Sequence, residues 1–194
     1  MVDDDFGLLD RWRAGDRAAG NLLFKRHFES LYRFLAHKVD GEIDDLVQDT
    51  FVACMHGRDT FRRQSSFRTY LFAIARNMLF GYWRRNNHGR SQLDFEEISI
   101  ASLSTSVRSR LAHGEERESL LLALRELPVE QQILLELYYW EDLNRDQLAD
   151  VFDVDTATIG SRLFRARQAL RGRLEQARPA PAVQPGEDLD AWAR

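Results

Sequence analysis

The sequence predicts an all-α protein built as two small helical domains joined by a flexible linker. Three observations carry this. Apolar residues recur at three- and four-residue steps through most of the chain, alternating strand patterns and hairpin dipeptides are absent, and a polar, Ser-containing stretch interrupts the helical period midway. A length of 194 residues suits either one ordinary domain or two small ones, so the pattern decides. It places a first domain over residues 5–88, a linker over 89–114, a second domain over 115–177 and a flexible, Pro-rich acidic tail over 178–194.

In the first domain Phe24, Phe28, Leu31 and Leu35 make one expected core stripe. Leu46, Val47, Phe51 and Cys54 make a second after the break at Gly41, and Leu71, Ile74, Ala75 and Met78 make a third. The linker carries only scattered Leu93, Phe95, Ile98, Ile100 and Leu103. Periodicity returns at Leu120, Leu121 and Leu124, and Pro128 opens a helix carrying Ile133, Leu134 and Leu137, since proline suits a first helical turn. Beyond Arg178 the prolines Pro179, Pro181 and Pro185 forbid a further helix, and the acidic ending carries Trp192.

Composition narrows the class. Hydrophobic residues at 44% and charged residues at 30% give enough apolar surface for packed cores. No apolar run approaches the roughly 20 residues that span a bilayer. Asp3, Asp4 and Asp5 stand where a signal peptide would carry positive charge, so a cytoplasmic address is expected. Cys54 is the only cysteine, which excludes an internal disulfide and a multi-thiolate zinc site; it reads as a small buried hydrophobe. His27, His37, His56, His88 and His113 are scattered, with no metal-ligand pairing, no phosphate-cradling glycine loop and no nucleophile signature, so neither an enzyme nor a cofactor is expected.

A net charge of −4 argues weakly against nucleic-acid binding, but the charge is segmented. Asp40, Glu42, Asp44, Asp45, Asp49 and Asp59 precede an acid-free stretch with Arg62, Arg63, Arg68, Arg76, Arg84, Arg85 and Arg90. The second half repeats the order, with Glu136, Glu141, Asp142, Asp146, Asp150, Asp153 and Asp155 ahead of Arg162, Arg165, Arg167, Arg171 and Arg173. Each half therefore has one basic face available for phosphates.

Between Leu143 and Leu174 the pattern is that of a helix-turn-helix. Ala149 is the small residue where two helices cross, Leu148 and Phe152 face the core, the turn falls near Asp153 and Val154, and Ile159 anchors the second helix. Thr156 reads as its N-cap, which leaves Thr158, Ser161, Arg162 and Arg165 at the end that enters a major groove. Any two-helix corner with a solvated arginine face would share part of this pattern. Asp153 also stands where a turn glycine is common, and Gly160 lies near the base-facing surface without a long basic side chain.

The first domain supplies a second signal. In DDLVQDTF, Asp44, Asp45, Gln48 and Asp49 fall within about two turns, so several carboxylates share a face suited to a basic protein partner. Phe61, Phe67, Tyr70, Tyr82 and Trp83 then interleave with arginines, as in single-strand binders that combine base stacking with phosphate attraction. The alternative for these aromatics is a place in the core.

DDLVQDTF, the F-R-x-x-S-S-F-x-T-Y-L-x-x-I-A-R-N run, LRELPVEQQILLELYYWEDL and IGSRLFRARQAL together resemble domains two and four of the extracytoplasmic-function (ECF) sigma factors of the sigma-70 family, in the right order, over roughly residues 20 to 175. The resemblance implies a transcription initiation subunit that binds core RNA polymerase and promoter DNA. It assigns Asp44, Asp45, Gln48 and Asp49 to the clamp helices of the polymerase largest subunit. It puts Phe61 and Asn77 at a pocket for a flipped base of the minus-ten element, with Arg62 and Arg63 in the adjoining loop and Arg84 and Arg85 on the basic helix. Tyr70 stands where the family has tryptophan and keeps an aromatic ring.

For the minus-thirty-five duplex the resemblance singles out Ser161, Phe164 and Arg165, beside Thr156, Thr158 and Arg162, while Gly160 replaces a basic residue. It makes the linker a strap toward the polymerase active centre, where Asp94, Glu96 and Glu97 fit an RNA-mimicking role loosely. It also makes an anti-sigma factor the usual regulator, although no residue here identifies one. Thr50, between Asp49 and Phe51 on the docking helix, is a candidate phosphosite for a Ser/Thr kinase, since added charge there would change docking. The competing reading is a free-standing helix-turn-helix regulator, which leaves DDLVQDTF and the aromatic-basic helix without a task.

Overall fold

The structure, a computed structural model, describes residues 4–36, 38–39, 41–61, 65–87, 93–103 and 115–177. Among the described residues it is all-helical, with a single isolated antiparallel bridge between Ser99 and Pro128. The chain divides into two compact units after Asn86, apart from Asp150–Asp153, which group with the first. No helix among the described residues is long and apolar enough to cross a membrane.

The first unit holds α1 (Asp5–Arg13), α2 (Arg17–Ala36), α3 (Ile43–Gly57) and α4 (Phe67–Asn86). The Asp4 carboxylate accepts from the Gly7 N–H at 2.7 Å and starts α1. Gly15, at φ 101, reverses the chain, and Asp16 then accepts from the N–H groups of Ala18 and Ala19 at 2.9 and 3.1 Å to start α2. The two helices approach closely because position 20 has no side chain: a Cβ on Gly20 would meet the Trp12 indole at 2.6 Å. Ser66 accepts from the Thr69 N–H at 3.1 Å and opens α4.

Leu8, Leu9, Trp12, Ala19, Leu23 and Phe67 form one buried cluster, with Phe6, Phe24, Phe61 and Tyr70 packed against its rim. Truncating Trp12 to alanine would cost about 3–5 kcal/mol by the usual price of an aromatic cavity. The buried stripe of α2 runs through Leu23, His27, Leu31, Phe34 and Leu35. Phe28, expected in the core, is 44% exposed and stacks on Tyr32 instead. On α4 the inward side chains are Leu71, Phe72, Ala75 and Leu79, with Ile74 and Met78 only half-buried.

The rest of the chain holds α5 (Ile100–Leu103), α6 (Glu115–Arg125), α7 (Val129–Tyr139), α8 (Arg145–Phe152) and α9 (Thr156–Ala177), all in the second unit except the last residues of α8. The described part of the linker, 93–103, is not free chain. Phe95 and Ile100 are buried, and the carbonyls of Phe95 and Ile98 accept from the N–H groups of Glu130 and Val129 at 3.0 and 2.9 Å. Pro128 caps α7, so these two donors have no partner within the helix, and the linker backbone satisfies them. Asp94 organises the turn, its carboxylate accepting from the Glu96 N–H at 2.8 Å and its carbonyl from the Ile98 N–H at 2.8 Å. Residues expected in the linker at 89–92 and 104–114, the tail at 178–194 with Trp192, and Asp40 and Arg90 lie outside the described residues.

Candidate functional site

The outward face of α3 carries Asp44, Asp45, Gln48 and Asp49, all exposed, opposite buried Ile43, Leu46, Val47, Thr50 and Cys54. The same face continues into Val52 and Met55, 40% and 45% exposed, four and seven residues beyond Gln48. Sequence reading missed these two, although the helical step from Gln48 predicts their place. The result is a surface with carboxylates at one end and solvent-facing apolar side chains at the other.

Thr50 is not on that surface. Its side chain is wholly buried and its hydroxyl donates to the Leu46 carbonyl at 2.7 Å, so a kinase cannot reach it in this conformation, and the basis for a phosphosite is lost. Cys54 one turn on is also buried, and burial pushes its thiol up to about 12.

Beyond α3 the chain turns through Arg58–Thr60 to Phe61, whose ring stacks on Tyr70 of α4 with centroids 4.4 Å apart and planes 22° from parallel. Gly57 makes this possible, because a Cβ there would fall 2.2 Å from the Tyr70 hydroxyl. Burial pushes that hydroxyl above its ordinary pKa, with Cys54 adding to the rise and Arg13 opposing it. Both rings are half-buried, backed by the cluster around Trp12. Phe67, Tyr82 and Trp83, expected to interleave with the arginines as stacking groups, are buried at 0%, 6% and 2% exposure and belong to the core.

Asn77 lies two turns past Tyr70 on the same stripe of α4, about 10 Å along the axis, and Arg84 two turns further; both are exposed, as is Arg85. One ring of the stack, an amide and positive charge thus follow one another along α4. Arg62 and Arg63 lie outside the described residues.

Helices α8 and α9 form the expected helix-turn-helix. Asp153 adopts φ 54 in the turn, a left-handed conformation that aspartate tolerates, and the Val154 N–H donates to the Ala149 carbonyl at 3.1 Å. Asp155, not Thr156, is the N-cap of α9: its carboxylate accepts from the Thr158 N–H at 2.6 Å and from the Thr158 hydroxyl at 2.8 Å. These hydrogen bonds, the backbone one first, hold the Asp155 carboxyl below its ordinary pKa. Thr156 donates instead to Asp146 of α8 at 2.9 Å, tying the two helices together.

Buried Ile159, Leu163, Ala166 and Leu170 fix which side of α9 faces out. Ser161, Phe164 and Arg165 lie opposite them, with Phe164 63% exposed. Not every arginine of the basic run shares that side. Arg162 is on the flank, its guanidinium 2.8 Å from the Glu96 carboxylate. Arg167 turns inward, donating from Nε to the Tyr139 hydroxyl at 2.8 Å and lying over the Tyr138 ring at 5.1 Å. Arg173 reaches Glu126 at 3.5 Å. Beside Gly160 the Arg145 guanidinium from α8 comes within 3.9 Å of a Cβ position, supplying positive charge where α9 has none; its separation in sequence hid it from a motif reading.

Comparison with known proteins matches both units. A sigma-70 region 2 family model matches residues 23–89 and a sigma-70 region 4 model matches residues 117–170. The ECF RNA polymerase sigma-E factor of Salmonella typhimurium is 27% identical over 177 residues, covering 87% of this chain and 93% of that protein. Among solved structures, CnrH in complex with the cytosolic domain of CnrY is similar at a TM-score of 0.67 and 24% identity, covering 90% of this chain and 99% of that one. The sigma factor RpoE in complex with the anti-sigma factor NepR from Bartonella quintana is similar at 0.61 and 21%, covering 81% and 98%.

Proposed function

Since this chain belongs to the sigma-70 family of RNA polymerase sigma factors, in its small ECF group, we propose how its two units divide the work of promoter recognition. The protein directs DNA-templated transcription initiation, in the signal-responsive manner of that group. Its first unit grips core polymerase through the α3 face. Asp44, Asp45, Gln48 and Asp49 meet the clamp helices of the largest subunit, and Val52 and Met55 bury apolar surface beside them.

The minus-ten element is taken up as single strand. Extruding a base costs a few kcal/mol of lost stacking, and the Phe61–Tyr70 pair offers a replacement aromatic surface, with the Asn77 amide available to a base edge. Arg62, Arg63, Arg84 and Arg85 neutralise phosphates on either side. The minus-thirty-five element is read as duplex by the N-terminal half of α9. Ser161, Phe164 and Arg165 face the bases, Thr156, Thr158 and Arg162 lie at the margin, and Arg145 adds charge beside Gly160.

The observation that carries the reading is one unit presenting both an acidic-apolar helix face and a half-buried aromatic stack on a basic helix. No bond is made or broken by these residues, so the protein acts as a non-catalytic subunit, in the cytoplasm where core polymerase is found. An anti-sigma protein is the expected regulator, by analogy with the NepR complex of RpoE.

The test is co-elution of the full chain with core polymerase, followed by initiation from promoters selected out of a randomised duplex library. Initiation that depends on both elements is expected. Tight operator binding without polymerase, and no initiation with it, would mark a free-standing regulator instead.

A further inference from the structure

The match to the region 2 model begins at residue 23, beyond α1, yet the last residue of α1 reaches the stacking pair. Arg13 Nε donates to the Arg58 carbonyl at 2.9 Å, its Nη2 donates to the same carbonyl, and Nη2 also donates to the Phe61 carbonyl at 2.6 Å. One guanidinium thus spans both ends of the turn that leads out of α3. Within that turn the Thr60 and Phe61 N–H groups both donate to the Gly57 carbonyl at 3.1 Å, which leaves the carbonyls beyond the helix end to be satisfied from outside.

The brace is itself well anchored. Trp12, next to Arg13, is buried against Gly20, and the Arg58 guanidinium lies over its ring at 5.1 Å. Arg13 also lies near enough to Tyr70 to bias its hydroxyl electrostatically. A planar fork of fixed donors suits two backbone oxygens in a way that a single ammonium cannot, and it acts on the turn whatever side chains the turn carries.

We infer that Arg13 is a positioning residue for the minus-ten pocket, holding Phe61 in register on Tyr70 before DNA arrives. The inference rests on the assignment of Phe61 to base capture given above. A turn already fixed in its bound shape spares the ordering cost that capture would otherwise carry.

The experiment uses holoenzyme assembled from core polymerase and the full chain. The probe is the labelled non-template minus-ten strand of a promoter selected by that holoenzyme. Arg13→Ala should weaken binding of this strand on the order of tenfold, the size of one or two lost hydrogen bonds, with affinity for core polymerase unchanged. Arg13→Lys, which keeps the charge but not the fork, should fall between parent and alanine. In a Phe61→Ala background Arg13→Ala should have no further effect.

Unchanged strand binding by Arg13→Ala overturns the inference, and so does a full additional loss in the Phe61→Ala background, since Arg13 would then act elsewhere. If Arg13→Ala fails to fold or to bind core, Arg13→Lys decides, and parental strand binding by it overturns the proposal. If Phe61→Ala alone leaves strand binding intact, the assignment of Phe61 fails and Arg13 loses its role with it, an outcome distinct from a defect confined to Arg13.

Discussion

The Arg162 guanidinium on α9 is held 2.8 Å from the Glu96 carboxylate, which projects from the turn before α5, so an arginine expected at duplex DNA already has an anionic partner within its own unit. Glu96 is 64% exposed and the pair is screened, so it contributes at most about 1 kcal/mol. Glu96→Gln should therefore raise holoenzyme affinity for a minus-thirty-five duplex by up to about fivefold at low salt, with the gain shrinking as salt rises. Glu97→Gln, at the neighbouring exposed acid, controls for general charge. Equal gains from both variants would assign the effect to net charge rather than to the pair.

Gly57 and Tyr70 make a second, steric relationship. Gly57→Ala would set a methyl 2.2 Å from the Tyr70 hydroxyl, and relief requires the Tyr70 ring or the turn after α3 to shift. The variant should lose about 1–3 kcal/mol in urea unfolding. Adding Tyr70→Phe should restore most of it, because the remaining approach of 3.5 Å to the ring is ordinary contact. No recovery in the double variant would place the strain elsewhere.

Arg165 and Arg167, two residues apart, should separate cleanly. Arg165→Ala removes an outward side chain and should weaken promoter binding by about 1–3 kcal/mol if it makes a bidentate base contact, with the unfolding midpoint preserved. Arg167→Ala strips the guanidinium from Tyr138 and Tyr139 and should lower the midpoint first. Parental promoter affinity in Arg165→Ala would reject its assignment to the bases.

Asp5 gives a pH dependence. Burial alone would raise its carboxyl, but the His27 hydrogen bond and charge, reinforced by Arg26 at 2.6 Å, outweigh it and hold the group below 3.8. A depressed folded pKa stabilises above the unfolded value and is lost as pH falls through the folded one. Asp5→Asn should thus cost about 1 kcal/mol near neutrality, and the difference from parent should close as pH falls below 3.8. A gap that stays constant down to acid unfolding would exclude the charge as its source.

Cys54 should resist iodoacetamide in the folded protein at mildly alkaline pH, because its thiol is wholly buried and pushed up to about 12. Alkylation should follow unfolding, making the thiol a readout of first-unit stability. Rapid labelling at denaturant concentrations where helicity persists would show local opening of α3.

Apart from α5, which lies in the stretch read as linker, the helices were legible because three- and four-residue steps survive in them, but their phase was not always so. Leu22, Leu23 and Phe24 are consecutive apolar residues, so the sequence of α2 allows more than one stripe; α1 packing onto Gly20 selects Leu23 and His27 and leaves Phe28 outside. Thr50 could have been excluded as a phosphosite, since it falls four residues from both Leu46 and Cys54 on the inward face. Other features carry no local signal. Capping of α7 by linker carbonyls, the Arg13 brace across 45 residues and the arrival of Arg145 beside Gly160 all arise from backbone atoms or from residues distant in sequence.

The two carbonyls of Phe95 and Ile98 that hold the first amides of α7 set a threshold for any partner that would peel this segment away. Release exposes Phe95 and Ile100, at about 1.5–3 kcal/mol each, and returns the Val129 and Glu130 amides to solvent. Weak or passing encounters would leave the segment where it lies. A partner that gives those two side chains no apolar cover of its own would have to supply that free energy by other contacts.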